Sequence, residues 1–332
     1  MRRSILVTGG LGFIGSSFIR REIQRGSDVL NLDAHTYAAD DSRLEGASVE
    51  THTIDVCDER VKQIVAGYAP DVVVHLAAET HVTRSETDPD VFFSTNVEGT
   101  RSMLEAASAA GVSTFVHVST DEVYGPALER PFSEGDKEPG EGAATSAYAR
   151  SKAIADDLAA SYASDMRTLI VRPTNCFGRW QHPEKAIARW TTRALSGARL
   201  PVWGDGRQVR DWMFVEDVAA AMSLLIETPD ARGVYNIGPG NEAVANLSIA
   251  QMVAEAAGTG RDSVYLAAYD RPDHDRRYSV DASRIRALGW TPEVGVAEGI
   301  RRTVAWYAEH KQWWQPLVAS AEELYADEAE RT

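Results

Sequence analysis

Thr8-Gly9-Gly10-Leu11-Gly12-Phe13-Ile14-Gly15 stands between a short apolar run, Ile5 to Thr8, and an amphipathic stretch, Phe13 to Arg25. A strand, a glycine turn and a helix in that order make a binding turn for a dinucleotide: Gly9 permits the tight turn, Gly12 lets backbone approach a pyrophosphate, and Gly15 lets helix and strand pack closely. The helix N-terminus then faces the diphosphate charge. Glycine spacing alone is a weak signal; its place between strand and helix gives it weight. Asp33 closes the next apolar run, Val29 to Leu32, where a carboxylate can take both hydroxyls of the adenine ribose. That carboxylate repels a 2′-phosphate, and Ala34 and His35 supply no arginine to accept one, so NAD(H) is favoured over NADP(H).

Outward from this turn the same rhythm repeats. Apolar runs at Val49–Ile54, Val72–Leu76, Phe115–Val118 and Leu169–Val171 alternate with helical patterns at Asp58–Ala66, Val91–Ala110 and Ala147–Tyr162. Such alternation predicts βαβ units and a parallel sheet covered on both faces. The expected fold is α/β, a Rossmann-type doubly wound parallel sheet with a smaller mixed α/β substrate domain toward the C-terminus. Residues 1–172 plus about 213–240 are assigned to the first domain, and 173–212 plus 241–332 to the second. Pro173 to Lys185, rich in Pro, Asn, Gly, Trp and His, reads as an irregular lining segment. Pro201 to Gly206 reads as turn-rich, Glu216 to Ile226 as a helix, and Val234 to Ile237 as a strand rejoining the sheet. The C-terminal third is expected to hold shorter elements, and its last dozen acidic residues to fray.

A formal charge of −15 over 332 residues argues against nucleic acid or an anionic membrane as partner. No leader and no bilayer-length apolar run is evident, and the two cysteines, Cys57 and Cys176, suit a reducing compartment and offer no metal-ligand spacing. The expectation is a soluble, cytoplasmic protein with no metal.

Beyond the fifth apolar run lies Val118-Ser119-Thr120-Asp121-Glu122-Val123-Tyr124-Gly125. Strand ends in open parallel sheets face the ligand crevice, so two hydroxyls and two adjacent carboxylates border a pocket. A carboxyl pair divides labour when one member keeps its proton and the other loses it. Such a pair can take a proton from carbon and protonate a leaving hydroxyl. An acidic turn capping the next segment is the plain alternative. Tyr148 and Lys152, four apart in a helical pattern, share one face. A free phenol with a pKa of about 10 is a poor base at neutral pH; a neighbouring ammonium and a positive nicotinamide both favour phenolate.

Together these residues resemble the extended short-chain dehydrogenase/reductase family: Gly9-Gly10-x-Gly12-x-x-Gly15, Asp33, Asp55, Leu76-Ala77-Ala78, Asn96, Ser119-Thr120 and Tyr148-x-x-x-Lys152. Within it the nearest likeness is to the dTDP-glucose 4,6-dehydratases. It is carried by Glu79 to Val82, Thr120 to Gly125, Gln181 to Lys185, Gly206 to Trp212 and Arg271 to Tyr278. The resemblance implies that Tyr148 takes the proton of the sugar 4-hydroxyl, with Lys152 beside it and Thr120 hydrogen-bonded to the same oxygen. Glu122 then removes the C5 proton made acidic by the 4-ketone, and a protonated Asp121 donates to the departing C6 hydroxyl. It further implies an NAD cofactor held by Gly9, Gly12, Phe13, Ile14, Gly15, Asp33, Thr36, Asp55, Val56, Leu76, Ala77, Ala78, Thr80, Asn96, Ser119, Tyr148 and Lys152. The implied contacts to a nucleotide sugar, dTDP-glucose first, are His81, Thr120, Asn175, Glu184, Lys185, Arg210, Arg271 and His274. Helices around Val91–Ala110 and Ala147–Tyr162 resemble the family's dimer interface, which implies a homodimer.

The chain departs from the family pattern at Thr83, Ala34, Cys176 and Asp273, and in a shortened segment between Thr36 and Thr53. These departures leave UDP-glucose or a modified hexose open as substrates. 4-Epimerisation or decarboxylation by the same oxidation, and a nucleotide-sensing protein without turnover, are the competing readings. His75 and His117, inside apolar runs, read as core histidines, and Trp290, Trp306 and Trp313 as packing residues.

Overall fold

The structure, a computed structural model, describes residues 3–127, 129–136, 146–240, 243–268 and 276–325. Arg271, Asp273, His274 and most of the acidic C-terminal stretch lie outside the described residues.

In chain order the strands are β1 (Ser4–Thr8), β2 (Asp28–Asp33), β3 (Glu50–Thr53), β4 (Val72–His75), β5 (Thr114–Val118) and β6 (Arg167–Pro173). There follow β7 (Asn175–Phe177), β8 (Leu200–Trp203), β9 (Val209–Arg210), β10 (Trp212–Phe214), β11 (Gly233–Ile237), β12 (Val244–Ala245) and β13 (Val264–Ala267). Seven of them form one parallel sheet in the order β11-β6-β5-β4-β1-β2-β3. Strand order reverses between β1 and β4, and a crevice opens there beyond the carboxyl ends of the strands. Alternation along each strand builds two cores. Ile5, Val7, Val72, Val74, Val116 and Val118 pack on Phe18, Val218 and Met222, while Leu6, Leu30, Val73 and Phe115 pack on Val61, Met103 and Leu104.

The helical pattern from Val91 to Ala110 predicts one helix, yet the chain there makes the helix Pro89–Phe93, a π-turn over Ser94–Glu98, and the helix Gly99–Ala109. Side-chain bonds accompany the widened turn. Thr100 Oγ1 donates to the Asn96 carbonyl at 2.7 Å, and a Cβ on Gly99 would come within 2.6 Å of Val56.

The remaining strands pair off as β10 with β7, β12 with β9 and β13 with β8. With the helices Ala186–Leu195, Asn246–Ala256 and Val296–Glu309 they enclose a further core around Phe177, Trp190, Trp212, Phe214 and Ile300. Full helices at Asn246–Ala256, Val296–Glu309 and Lys311–Glu323 replace the shorter elements expected of the C-terminal third. Their faces are sealed by large aromatic residues, Tyr307 and Trp314, which are buried against Ala188. Trp290 is buried in the first core, and Trp306 and Trp313 pack at the edge of that C-terminal cluster. No helix among the described residues is long and apolar enough to cross a membrane.

Candidate active site

One cavity of about 370 Å³ follows the switch point, within the size range of small-molecule sites. At one end lies the glycine turn. Gly9 has φ +72°, and a Cβ there would sit 2.8 Å from the Ala77 nitrogen. On Gly15 a Cβ would sit 2.2 Å from the Gly9 carbonyl oxygen, so no side chain is tolerated where the helix Phe13–Gln24 meets the turn. That helix begins at Gly12 with no side-chain cap and no acidic residue in its first turn, leaving its N–H groups to face an anion. Asp33 closes β2 as expected. Its Oδ2 accepts from Leu11 N at 2.9 Å and its Oδ1 from His35 N at 2.9 Å, which fixes the carboxylate at the cavity wall. Thr36, Asp55, Val56, Leu76, Ala77, Ala78 and Thr80 line the same end, together with Phe13 and Ile14. A glycine cradle, bare helix amides and an oriented carboxylate fit the diphosphate and ribose of a dinucleotide.

Asn96 does not line the cavity. From the π-turn its Oδ1 accepts from Glu79 N at 2.9 Å, and its Nδ2 donates to the Glu79 carbonyl at 3.1 Å and Ser151 Oγ at 2.9 Å. It therefore ties the loop after β4 to the helix Ala147–Ser161, which carries Tyr148 and Lys152.

Beyond β5 the chain turns through one 3₁₀ turn, Asp121–Tyr124, capped by Thr120 Oγ1, which accepts from Glu122 N at 3.3 Å. Val123 and Tyr124 are buried, and Tyr124 OH donates to Asn236 Oδ1 at 2.9 Å, which anchors the turn from behind. Ser119, Thr120, Asp121, Glu122, Tyr148 and Lys152 consequently line one stretch of the cavity. Burial, then the charges of Glu122 and Asp211, push the Asp121 carboxyl well above its ordinary value, against the pull of Arg210. The protonated form of Asp121 is thereby favoured. Asp211, which accepts from Ser279 Oγ at 3.1 Å, is itself pushed up to about 6 by burial.

Tyr148 is raised as well, by burial first and Glu122 next, while a hydrogen bond with Thr120 lowers it. Lys152, expected to favour phenolate, stands one helical turn beyond Tyr148 on the same helix. Lys152 Nζ donates to the Val118 carbonyl at 2.8 Å and lies 3.4 Å from His117 Nε2. Burial lowers Lys152 and the charge of Asp156 opposes it. Asp156 Oδ2 accepts from Arg172 Nε at 2.8 Å, so a buried ionic cluster stands behind the lysine. His75 is buried between Thr8 Oγ1 at 2.8 Å and Thr100 Oγ1 at 3.1 Å, and His117 is buried beside it at 5.9 Å between ring centres.

At the far end Asn175, Glu184 and Lys185 line the cavity with Cys176, whose thiol burial raises. Burial pushes Glu184 up, but Lys185, His81, His182 and Arg84 outweigh it and hold the carboxylate below its ordinary value. Tyr37 OH donates to Glu184 Oε1 at 3.2 Å, with the Arg84 guanidinium 3.8 Å over the Tyr37 ring, and Lys185 Nζ donates to the Thr80 carbonyl at 3.1 Å. Tyr37, in the turn after β2, and Arg84, in the short helix Val82–Thr87, lie in segments too short to give a periodic signal. Arg43, Gln181 and His182 line the cavity too; Gln181 and His182 stand in a segment that carries the resemblance but were given no role, and Arg43 was not singled out. His81 is buried beside this group without lining the cavity. Arg210 is buried over the Tyr278 ring at 4.5 Å, also outside the lining, and acts on Asp121 by its charge. Arg271 and His274 fall outside the described residues.

Residues 5–238 match the model of the NAD dependent epimerase/dehydratase family. The chain is 42% identical over 334 residues to the dTDP-glucose 4,6-dehydratase of Streptomyces griseus, covering 96% of this chain and 98% of that protein. It is also 42% identical over 309 residues to the low-salt glycan biosynthesis protein Agl12 of Haloferax volcanii, covering 91% of this chain and 98% of that one. Among solved structures, the dTDP-glucose 4,6-dehydratase DesIV of Streptomyces venezuelae, with NAD bound, superposes with a TM-score of 0.87 at 37% identity, over 95% of this chain and 99% of that chain. Fold, glycine turn and full-length likeness agree: the chain belongs to the NAD dependent epimerase/dehydratase family.

Proposed function

We propose that the protein is an NAD-dependent dTDP-glucose 4,6-dehydratase, a hydro-lyase that converts dTDP-glucose to its 4-keto-6-deoxy product and water. The observation that carries this reading is the Asp121-Glu122 turn beside Tyr148 in one cavity, where burial and the neighbouring Glu122 favour the protonated form of Asp121. Oxidation alone needs Tyr148; elimination needs an acid and a base of opposite protonation. The full-length likeness to dehydratases supports the same choice over 4-epimerisation or decarboxylation.

NAD, held by the glycine turn Gly9–Gly15, Asp33 and the residues lining that end, would supply hydride chemistry, an oxidant at C4 and a reductant at C6. The chain's residues move the protons. Tyr148 takes the 4-hydroxyl proton while Thr120 holds that oxygen. Glu122 takes the C5 proton, Asp121 protonates the C6 hydroxyl as it leaves, and Glu122 hands its proton back to C5. Lys152 and the buried Asp156–Arg172 pair hold a positive charge near the phenol. Glu184, kept anionic, and Lys185 orient the hexose, and Asn175 lies toward the diphosphate. The shell beyond residue 172, apart from about 213–240, is proposed as the nucleotide-sugar domain. Val91, an exposed hydrophobic residue at 43% on the helix Pro89–Phe93, supports a homodimer through that helical face, and light scattering at two masses of the chain is the expected result.

Incubating the protein with dTDP-, UDP-, GDP- and CDP-glucose and weighing the products tests the assignment. Loss of one water from dTDP-glucose is expected. Unchanged mass with an inverted C4 points to epimerisation, and loss of carbon dioxide from a uronic substrate to decarboxylation.

A further inference from the structure

The dehydratase reading leaves a proton in the wrong place after each turnover. The 4-hydroxyl proton ends on Tyr148, and the hydrogen leaving C4 arrives at C6. Glu122 receives the C5 proton and returns it to C5. The C6–O bond breaks, and the leaving hydroxide takes the proton of Asp121 to become water. Glu122 and the cofactor finish as they began. Tyr148 finishes with one proton too many and Asp121 with one too few. Unless a proton passes from the phenol to the carboxylate, the next sugar meets a base already filled and an acid already spent.

We propose that Thr120 is the relay that resets the pair, passing the proton of Tyr148 to Asp121 between turnovers. Thr120 Oγ1 is hydrogen-bonded to the Tyr148 phenol and donates to Asp121 Oδ1 at 3.4 Å. A hydroxyl both donates and accepts, so the phenol gives its proton to Oγ1 as Oγ1 gives its own to Asp121. No net charge is left on the threonine. All three residues are buried, Thr120 at 7% exposure, Asp121 at 4% and Tyr148 at 8%, so exchange with bulk water is restricted. Lys152 Nζ is bonded to the Val118 carbonyl and faces His117, with Asp156 and Arg172 behind. Around Asp121 stand Glu122, Asp211, Arg210 and Cys176. Burial and two of those anions favour the protonated form of Asp121.

The relay rests on the dehydratase reading, and product per site over time tests it. Holoenzyme is mixed with excess dTDP-glucose and quenched at intervals. Thr120→Val should form one product per site in a first phase and then continue at least about 100-fold more slowly, because only the first turnover uses protons already in place. Thr120→Ser keeps the hydroxyl and should show no such split, whatever its overall rate. Thr120→Ala provides a second variant without the hydroxyl in case valine prevents folding. Equal slowing of first and later turnovers in the variants lacking the hydroxyl overturns the relay and leaves Thr120 as a ligand of the sugar oxygen alone. Wild-type protein that removes no water overturns the dehydratase reading instead, so the two failures are distinct.

Discussion

Burial and the charges of Glu122 and Asp211 raise the Asp121 carboxyl well above the ordinary 3.8. Between that value and its raised one the folded chain keeps a proton that the unfolded chain releases, so folding stability falls as pH rises through the window. Asp121→Asn carries no such slope. The variant is expected to unfold at a higher temperature than wild type near neutral pH, with the gain shrinking as pH falls toward 3.8. Its turnover should drop by about 10² to 10⁴, the usual worth of a general acid, and a melting series across pH with parallel rate measurements checks both. Glu122 raises the Tyr148 phenol by its charge. Glu122→Gln should therefore oxidise the sugar readily but fail to deprotonate C5, so the absorbance of reduced cofactor builds up on adding substrate. Normal turnover by that variant would mean that another base works at C5. Both carboxyls were legible because they are neighbours in sequence beyond an apolar run. The phenol's surroundings were not: residue spacing places Lys152 on the face of Tyr148, but only packing decides that its ammonium bonds the Val118 carbonyl.

Among the elements, the π-turn Ser94–Glu98 bears most on the site. It places Asn96 between the loop after β4 and the helix of Tyr148, with three hydrogen bonds across the gap. Asn96→Ala removes the partners of the Glu79 backbone N–H and carbonyl and leaves Ser151 Oγ only its bond to the Tyr148 carbonyl, at a cost of about 1–3 kcal/mol. A lower denaturant midpoint is expected, together with a fall in kcat as Tyr148 loses its register against the loop. Unchanged kcat at reduced stability would confine Asn96 to a structural role. The sequence pattern over Val91–Ala110 gives no sign of this turn, because the apolar period continues through it. Its bonds come from Thr100, Ser151 and the Glu79 loop, which are distant in sequence or hidden in the helical rhythm. β1, β2, β4 and β5, by contrast, were legible nearly to their ends, since strands buried on both faces read as unbroken apolar runs; β3 is a half-exposed edge strand of polar residues, and β6 runs from Arg167 to Pro173, beyond the Leu169–Val171 core that its apolar residues mark.

At the scale of the whole molecule, the sheet supplies the cofactor end and the segments after β6 close the sugar end. The C-terminal helices brace both. Trp313 Nε1 donates to Asp40, Tyr307 OH donates to the Gln181 carbonyl, and Arg43 Nη1 donates to the Leu11 carbonyl at 2.6 Å. That bracing was not legible, because tryptophans read as generic packing and the loop from Thr36 to Leu44 carries no period. The account joins these parts in one claim: hydrogen leaves C4, water leaves C5 and C6, and the same hydrogen arrives at C6 without escaping. dTDP-glucose carrying deuterium at C4 tests it in one measurement, by mass and proton resonance of the product. The account predicts a product lighter by one water that retains the deuterium, now on C6. A product of unchanged mass, or one that has lost the deuterium to solvent, contradicts it.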